Sequence, residues 1–306
     1  MTNPSEIDIR DAANATLRSV EEAWGKVVMA NLTKNFIASA TRIGDLDHYK
    51  FFPEAASQMI ELVSSEHGVA GGRAFLRAVL LQAVIALTET KSLDKLPPKI
   101  SHYQRFHLFR IANDATTDLD WLDISHDYFH KEFGLATLRL YAAGAQLIDV
   151  RCGIPRSILF AQGIAEFPIR LLKMLKLGGF KPYFQIHTHK LNLDQFNEKG
   201  WNECYRGCAE LYALYPKSLG MFGSSWFYDP ALEEISPRLG YLRNIPVDGG
   251  AALMFYSEGG DAIGDSTATS PSRRKLYEAG SYMPKSYMLI WGRDSQINWA
   301  YSHRDD

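Results

Sequence analysis

Tyr183-Phe184-Gln185-Ile186-His187-Thr188-His189 is the stretch on which the fold turns. Its residues alternate at the period of a β-strand, with Phe184, Ile186 and Thr188 on one face and Tyr183, Gln185, His187 and His189 on the other. The alternation places both imidazoles on one face at the strand's end. Next in the chain, Trp201, Cys204, Tyr205, Cys208, Leu211, Tyr212 and Tyr215 keep helical spacing, with Asn197 as N-cap and Pro216 as stop. A short apolar strand over 219–224 follows and gives way to Ser225-Trp226-Phe227-Tyr228-Asp229-Pro230.

Working outward, 135–142 and 146–150 read as a hairpin closing around Ala143-Gly144, and 158–177 supplies helix interrupted near Gly163 and Pro168. Past Asp229-Pro230 the sequence is helical through Arg243. Strands over 251–256 and 287–291 then bracket a helix at 271–279. From Leu135 onward strands and helices therefore alternate, which is an α/β pattern. The residues before it read as helices. Leu17, Val20, Trp24, Val27 and Val28 keep the helical period, as do Leu76, Val79, Leu80, Ala83, Val84 and Leu87. Gly68, Gly71 and Gly72 are expected to separate one helix from the next, and Pro97-Pro98 to precede a helix holding His102 and His107. The expected fold is α+β or α/β: a helical region over 1–134, then a mixed sheet flanked by helices over 135–306.

Composition bounds the function. Of 306 residues, 46% are hydrophobic and 22% charged, enough apolar material for a large core. The net charge of −2 gives no global basic field for nucleic acid or an anionic membrane, so local basic clusters must be weighed one by one. The longest apolar run, 75–87, contains Arg77 and Gln82 and is too short to span a bilayer; a buried helix is expected. Three cysteines, an odd number, and a start without a secretory pattern predict a reducing, cytoplasmic setting. Cys204 and Cys208 fall on the helix's apolar stripe and read as core.

Polar residues gather at two strand ends, where ligands of α/β sheets usually bind. His187 and His189 end one strand, and Ser224, Ser225, Trp226, Tyr228 and Asp229 follow the next; if the two strands are neighbours, imidazole, hydroxyls, phenol and carboxylate converge on one pocket. A second cluster is Ser270-Pro271-Ser272-Arg273-Arg274-Lys275, a helix start with Gly280 at its end. Its cations stand where the helix dipole disfavours positive charge, which a bound anion could correct. Ser236-Pro237-Arg238 repeats the pattern more weakly. His126 and His130, four apart with His102, His107, Asp118, Asp120, Asp123 and Glu132 nearby in sequence, could share a helix face as metal ligands, although no Glu-x-x-His pair is present. His187-Thr188-His189 matches a metal-hydrolase motif, but too little chain follows it for a barrel. Phe222-Gly223-Ser224-Ser225-Trp226 is not a Gly-x-Ser-x-Gly elbow.

The order of elements over 135–291, a hairpin, strand, helix, strand, helix and closing strands, resembles a GNAT-type N-acyltransferase. The resemblance implies an acyl group moving from a CoA or carrier-protein thioester to an amine, with no tightly bound cofactor and no assigned metal. It implies a donor pyrophosphate at the helix start, here Asn197 to Gly200, and phosphate contacts from Arg273 and Arg274. It also implies a general base at His187 or His189 and a phenol, Tyr228, that protonates the leaving thiolate. This chain has Asn197-Glu198-Lys199-Gly200 where the family carries an Arg/Gln-x-x-Gly-x-Gly/Ala loop, so a carrier-protein-bound acyl group or another anionic donor stays open beside CoA. The expected partner is a small molecule with an anionic group, with an acyl-carrier protein as a further candidate, and with no nucleic acid and no membrane span. Two other readings stay open. One is a metal-dependent oxygenase or hydrolase with non-haem iron or zinc on a histidine cluster at His126/His130 or His187/His189. The other is a non-catalytic ligand-binding protein.

Overall fold

Helices dominate the first half of the chain because its apolar residues recur every three or four positions. A computed structural model describes residues 3–25, 30–42, 48–114, 120–268 and 270–304, and Val27, Val28 and Asp118 lie outside the described residues. The protein is α+β, and its contacts group it into two compact units, Met1–Arg151 with His189–Leu193, and Cys152–Thr188 with Asp194–Asp306.

In the first unit, α1 (Glu6–Trp24), α2 (Ala30–Ala40), α3 (Glu54–Glu89), α4 (Pro98–Asn113) and α5 (Asp127–Ala136) precede the hairpin strands β1 (Leu140–Ala143) and β2 (Gln146–Cys152). Ser5 opens α1 in a capping box, its hydroxyl accepting from the Asp8 N–H while the Asp8 carboxylate accepts from the Ser5 N–H. Of the three glycines expected to break the helix, Gly68 alone leaves helical geometry (φ 71°, ψ 178°); Gly71 and Gly72 stay within α3, which kinks and continues. The apolar run that looked too short to span a bilayer thus belongs to a 36-residue helix. By length and composition α3 could cross a membrane, but 67% of its most apolar window is buried in the protein, as in a core helix.

The hairpin starts later than the alternation suggested. Leu135 and Ala136 close α5, and Leu138 turns the chain at φ 53° before β1 begins at Leu140. Gln104 on α4 then fastens the hairpin to the helices: its amide N–H₂ donates to the Leu135 carbonyl and its oxygen accepts from the Ala142 N–H. These bonds explain why the hairpin groups with the helical unit, so the division falls after Arg151 rather than before Leu135.

The second unit holds α6 (Phe167–Lys176), β3 (Tyr183–Thr188), α7 (Glu198–Leu211), β4 (Gly220–Ser225), α8 (Leu232–Ile235), α9 (Tyr241–Asp248), β5 (Ala252–Glu258), α10 (Asp261–Ala268), α11 (Pro271–Glu278), β6 (Lys285–Gly292) and α12 (Arg293–Ser302). Pro168 does not interrupt its helix. It sits in the first turn of α6, where a missing N–H costs nothing. The strands of this unit lie in the order β3-β4-β6-β5, with β3 and β4 parallel and the other pairs antiparallel. On one face Tyr183, Phe222, Met254, Met288 and Ile290 pack with Ile154, Ile158 and Met174 of α6. On the other, Phe184 stacks on Tyr212 at 4.8 Å, and Tyr205 of α7 and Trp299 of α12 close on Trp291. Cys204 and Cys208 lie wholly buried in α7, and burial pushes the Cys204 thiol up.

Candidate active site

The two histidines of the opening stretch do not share a role. β3 ends at Thr188, and His189 begins the short segment His189–Leu193 that belongs to the helical unit. There His189 is fully buried: its Nε2 lies 2.9 Å from Glu132 Oε1, and its Nδ1 accepts from the Leu191 N–H at 3.2 Å. Nδ1 is filled by a donor, so the proton sits on Nε2 and points at the carboxylate. Neither nitrogen is left for a substrate, which corrects the expectation of His189 as a general base.

Around this pair stands a polar network. Arg110 Nη2 donates to both Glu132 oxygens, at 2.8 and 2.7 Å, and lies 3.3 Å from His107 Nδ1. Arg110 Nη1 donates to the Tyr128 hydroxyl at 3.3 Å, and the Lys190 ammonium sits 3.9 Å over the Tyr128 ring. Burial alone would raise the Glu132 carboxyl, but Arg110 and the His189 hydrogen bond outweigh it and hold the group down at about 2. Burial, reinforced by Arg110, pushes His107 down to about 3. The other histidine pair is also used locally. His126 caps α5, its Nδ1 accepting from the Tyr128 N–H, while His130 stacks on Phe52 at 4.9 Å and burial pushes it down to about 4. They do not present two ligands on one helix face.

Several residues expected to bind or react hold the second unit together instead. Asp229 is buried; its carboxylate accepts from the Ala231 N–H, the Tyr282 hydroxyl and the Lys285 N–H. Asn197 caps α7 by accepting from the Gly200 N–H, and Gly200 is required because a Cβ there would meet the Gln195 carbonyl oxygen at 2.1 Å. That amide is therefore not offered to a pyrophosphate. Ser270 caps α11 as expected. Arg273 is buried and donates to the Ser266 carbonyl and the Ser236 hydroxyl, with its guanidinium 4.5 Å over Trp226; Arg274 donates to the Thr267 carbonyl. Ser266 and Thr267 close α10, so the cations that looked misplaced at the start of α11 satisfy the carbonyl end of the helix before it. The charge anomaly that suggested an anion has an internal answer.

What remains is a fork. The β3–β4 ladder pairs Phe184 with Met221 and Gln185 with Phe222 and goes no further, although β3 runs to Thr188 and β4 to Ser225. β6 still pairs with β4 out to Ser225 opposite Tyr287. At the head of the fork stands Gly223, where a Cβ would come within 2.9 Å of Ile186 Cγ1 and 3.0 Å of the Tyr228 hydroxyl. Tyr228 is buried, and Tyr205 lies near it without completing a hydrogen bond to its hydroxyl among the described residues. Burial pushes the Tyr228 phenol well up, so it holds its proton. His187, next after Ile186, is half-buried on the opposite face of β3, with a ring nitrogen within 4.8 Å of Cys152 Sγ. Ser225 is half-buried at the last residue of β4. The structure thus brings Gly223 and Tyr228 together, with Ser225 at the end of the same strand and His187 on the opposite face of β3, and leaves out His189 and Asp229.

A cleft of about 630 Å³ lies elsewhere in this unit, lined by Glu198, Lys199, Asn202, Arg206, Asp248, Trp299 and His303 among others. It mixes both signs of charge. Gly223 is a glycine inside a strand pattern, a signal that often marks a close approach. Comparison with protein-family models, curated proteins and solved structures returns no match.

Proposed function

We propose that the second unit transfers an acyl group from a thioester, carried on CoA or on a carrier protein, to an amine. The observation that carries the reading is the buried Tyr228 phenol beside Gly223 at the end of the β3–β4 ladder, its hydroxyl short of a hydrogen bond among the described residues. In the reaction the amine nitrogen attacks the thioester carbonyl carbon, the C–N bond forms, the C–S bond breaks, and the amine loses a proton. The departing sulfur takes a proton from Tyr228, whose buried phenol stays protonated until a thiolate develops beside it. His187 is the base candidate, on the opposite face of β3. Because the Gly200 amide is spent on a cap and Arg273 and Arg274 on carbonyls, recognition falls on the thioester arm rather than on nucleotide phosphates.

The test is release of free thiol from a series of acyl-CoA and acyl-pantetheine thioesters in the presence of primary amines. The expected result is enzyme-dependent release that falls by about 10² to 10⁴-fold in Tyr228→Phe. Absence of release from every thioester, or full activity in Tyr228→Phe, would overturn the reading.

A further inference from the structure

The segment that leads into β3 is built inside out. α6 packs Met174, with Phe167 and Leu171, against the core, and its one arginine also points inward. Arg170 is buried, its Nε donating to the Ile158 carbonyl at 2.7 Å, with further bonds to Gln162 Oε1 and the Phe255 carbonyl. Outward go Ile169, Leu172 and Leu175, spaced three apart along the helix. Phe160 and Ile164, in the short turns Arg156–Phe160 and Ile164–Glu166 just before α6, are exposed as well. These five side chains are between 52% and 84% exposed, with Ile164 the most. A helix apolar on both faces normally has something against each.

The charges around this face have one sign. Between 153 and 182 the chain has Arg156, Arg170, Lys173, Lys176 and Lys181 against the single carboxylate of Glu166, in a protein whose net charge is −2. Arg156, Lys173, Lys176 and Lys181 are exposed, whereas Arg170 is turned inward. We propose that this face, the turns before α6 together with its outer side, docks on the surface of an anionic lipid bilayer. Five large apolar side chains supply an insertion face, and the exposed cations at its edge complement anionic headgroups, with the lysine stems free to reach along the apolar surface. A second copy of the chain meeting the same face about a two-fold axis would set cations against cations. The proposal does not depend on acyl transfer.

The test is sedimentation of the full chain with vesicles of phosphatidylcholine alone and of phosphatidylcholine with phosphatidylglycerol. Binding is expected to the second kind and to weaken as salt is raised. Lys173→Gln with Lys176→Gln is expected to reduce partitioning about 30-fold, and Ile169→Ser with Leu172→Ser to abolish it. All four positions are exposed, so unchanged thermal unfolding of both variants will show that the fold is kept. Failure to bind anionic vesicles, or binding unaltered in both variants, overturns the proposal. So does a concentration-dependent dimer, or capture of an acidic carrier protein, that is lost in the same variants while vesicle binding persists.

Discussion

Glu132 and Tyr228 are both buried, ionisable and central to their units, yet their surroundings are opposite. Glu132 is held by Arg110 and His189, and both of its oxygens have protein donors. Tyr228 stands at a strand fork with its hydroxyl short of any hydrogen bond among the described residues. Polar networks that are complete within the protein fix structure, because a buried charge without its partner costs several kcal/mol. A buried donor with an unused hydrogen is a candidate for a ligand contact. On the proposed function the difference separates a clamp from a site, although the clamp has the more catalytic-looking inventory of His, His, Arg, Tyr and Glu.

The sharpest way to break that contrast is to remove the carboxylate. Glu132→Ala strands Arg110 and deprives His189 of its acceptor, and urea unfolding is expected to show a loss of about 3 to 5 kcal/mol. The double replacement Arg110→Met with Glu132→Leu, which leaves no stranded charge, is expected to recover most of it. If Glu132→Ala costs under about 1 kcal/mol, the network is solvated and the clamp reading is lost.

The same comparison shows what could be read from sequence. Signals confined to a few neighbours were legible: the alternation of 183–188, the Asn197 cap, and the Ser270-Pro271 start with Gly280 after the end of α11. The role of His189 was not, because the partner that claims it, Glu132, lies 57 positions away on a helix whose own pattern looked like a metal site. Arg273 and Arg274 misled for a related reason. Their charge is wrong for α11 alone and right for α10, a helix that the sequence pattern did not announce. The fork was hidden because it is a place where pairing stops, and strand patterns report where residues alternate, not which ladder ends early.

Acid offers a second, smaller test of the clamp. His107 and His130 are held well below 6.5 in the folded chain, at about 3 and about 4, so the unfolded chain takes up protons first as pH falls. Stability is therefore full above about pH 6.5 and declines below it, by about 1.4 kcal/mol per pH unit for each such group. Glu132, depressed from 4.5 to about 2, works in the same direction: its contribution is present above pH 4.5 and lost as pH falls towards 2. His107→Gln is expected to flatten the decline between pH 6.5 and 4 by one group's share. An unchanged slope would place His107 in contact with water.

The smallest expected effect lies on the other side of the comparison. Tyr228→Phe removes a hydroxyl that completes no hydrogen bond among the described residues and keeps the ring that packs on Phe227 at 4.7 Å. Its stability is expected to stay within about 1 kcal/mol of the parent or to rise slightly, since a buried unpaired hydroxyl is a cost rather than a support. Gly223→Ala is the control. Its methyl group would run into Ile186 and the Tyr228 hydroxyl, and overpacking at such a site costs about 1 to 3 kcal/mol. A fork that tolerates loss of the phenol oxygen but not an added methyl is shaped around that oxygen without being held together by it, as a proton donor to a bound molecule requires. A loss of more than about 2 kcal/mol in Tyr228→Phe would mean that the hydroxyl is a structural bond after all, and the fork would then belong with the clamp.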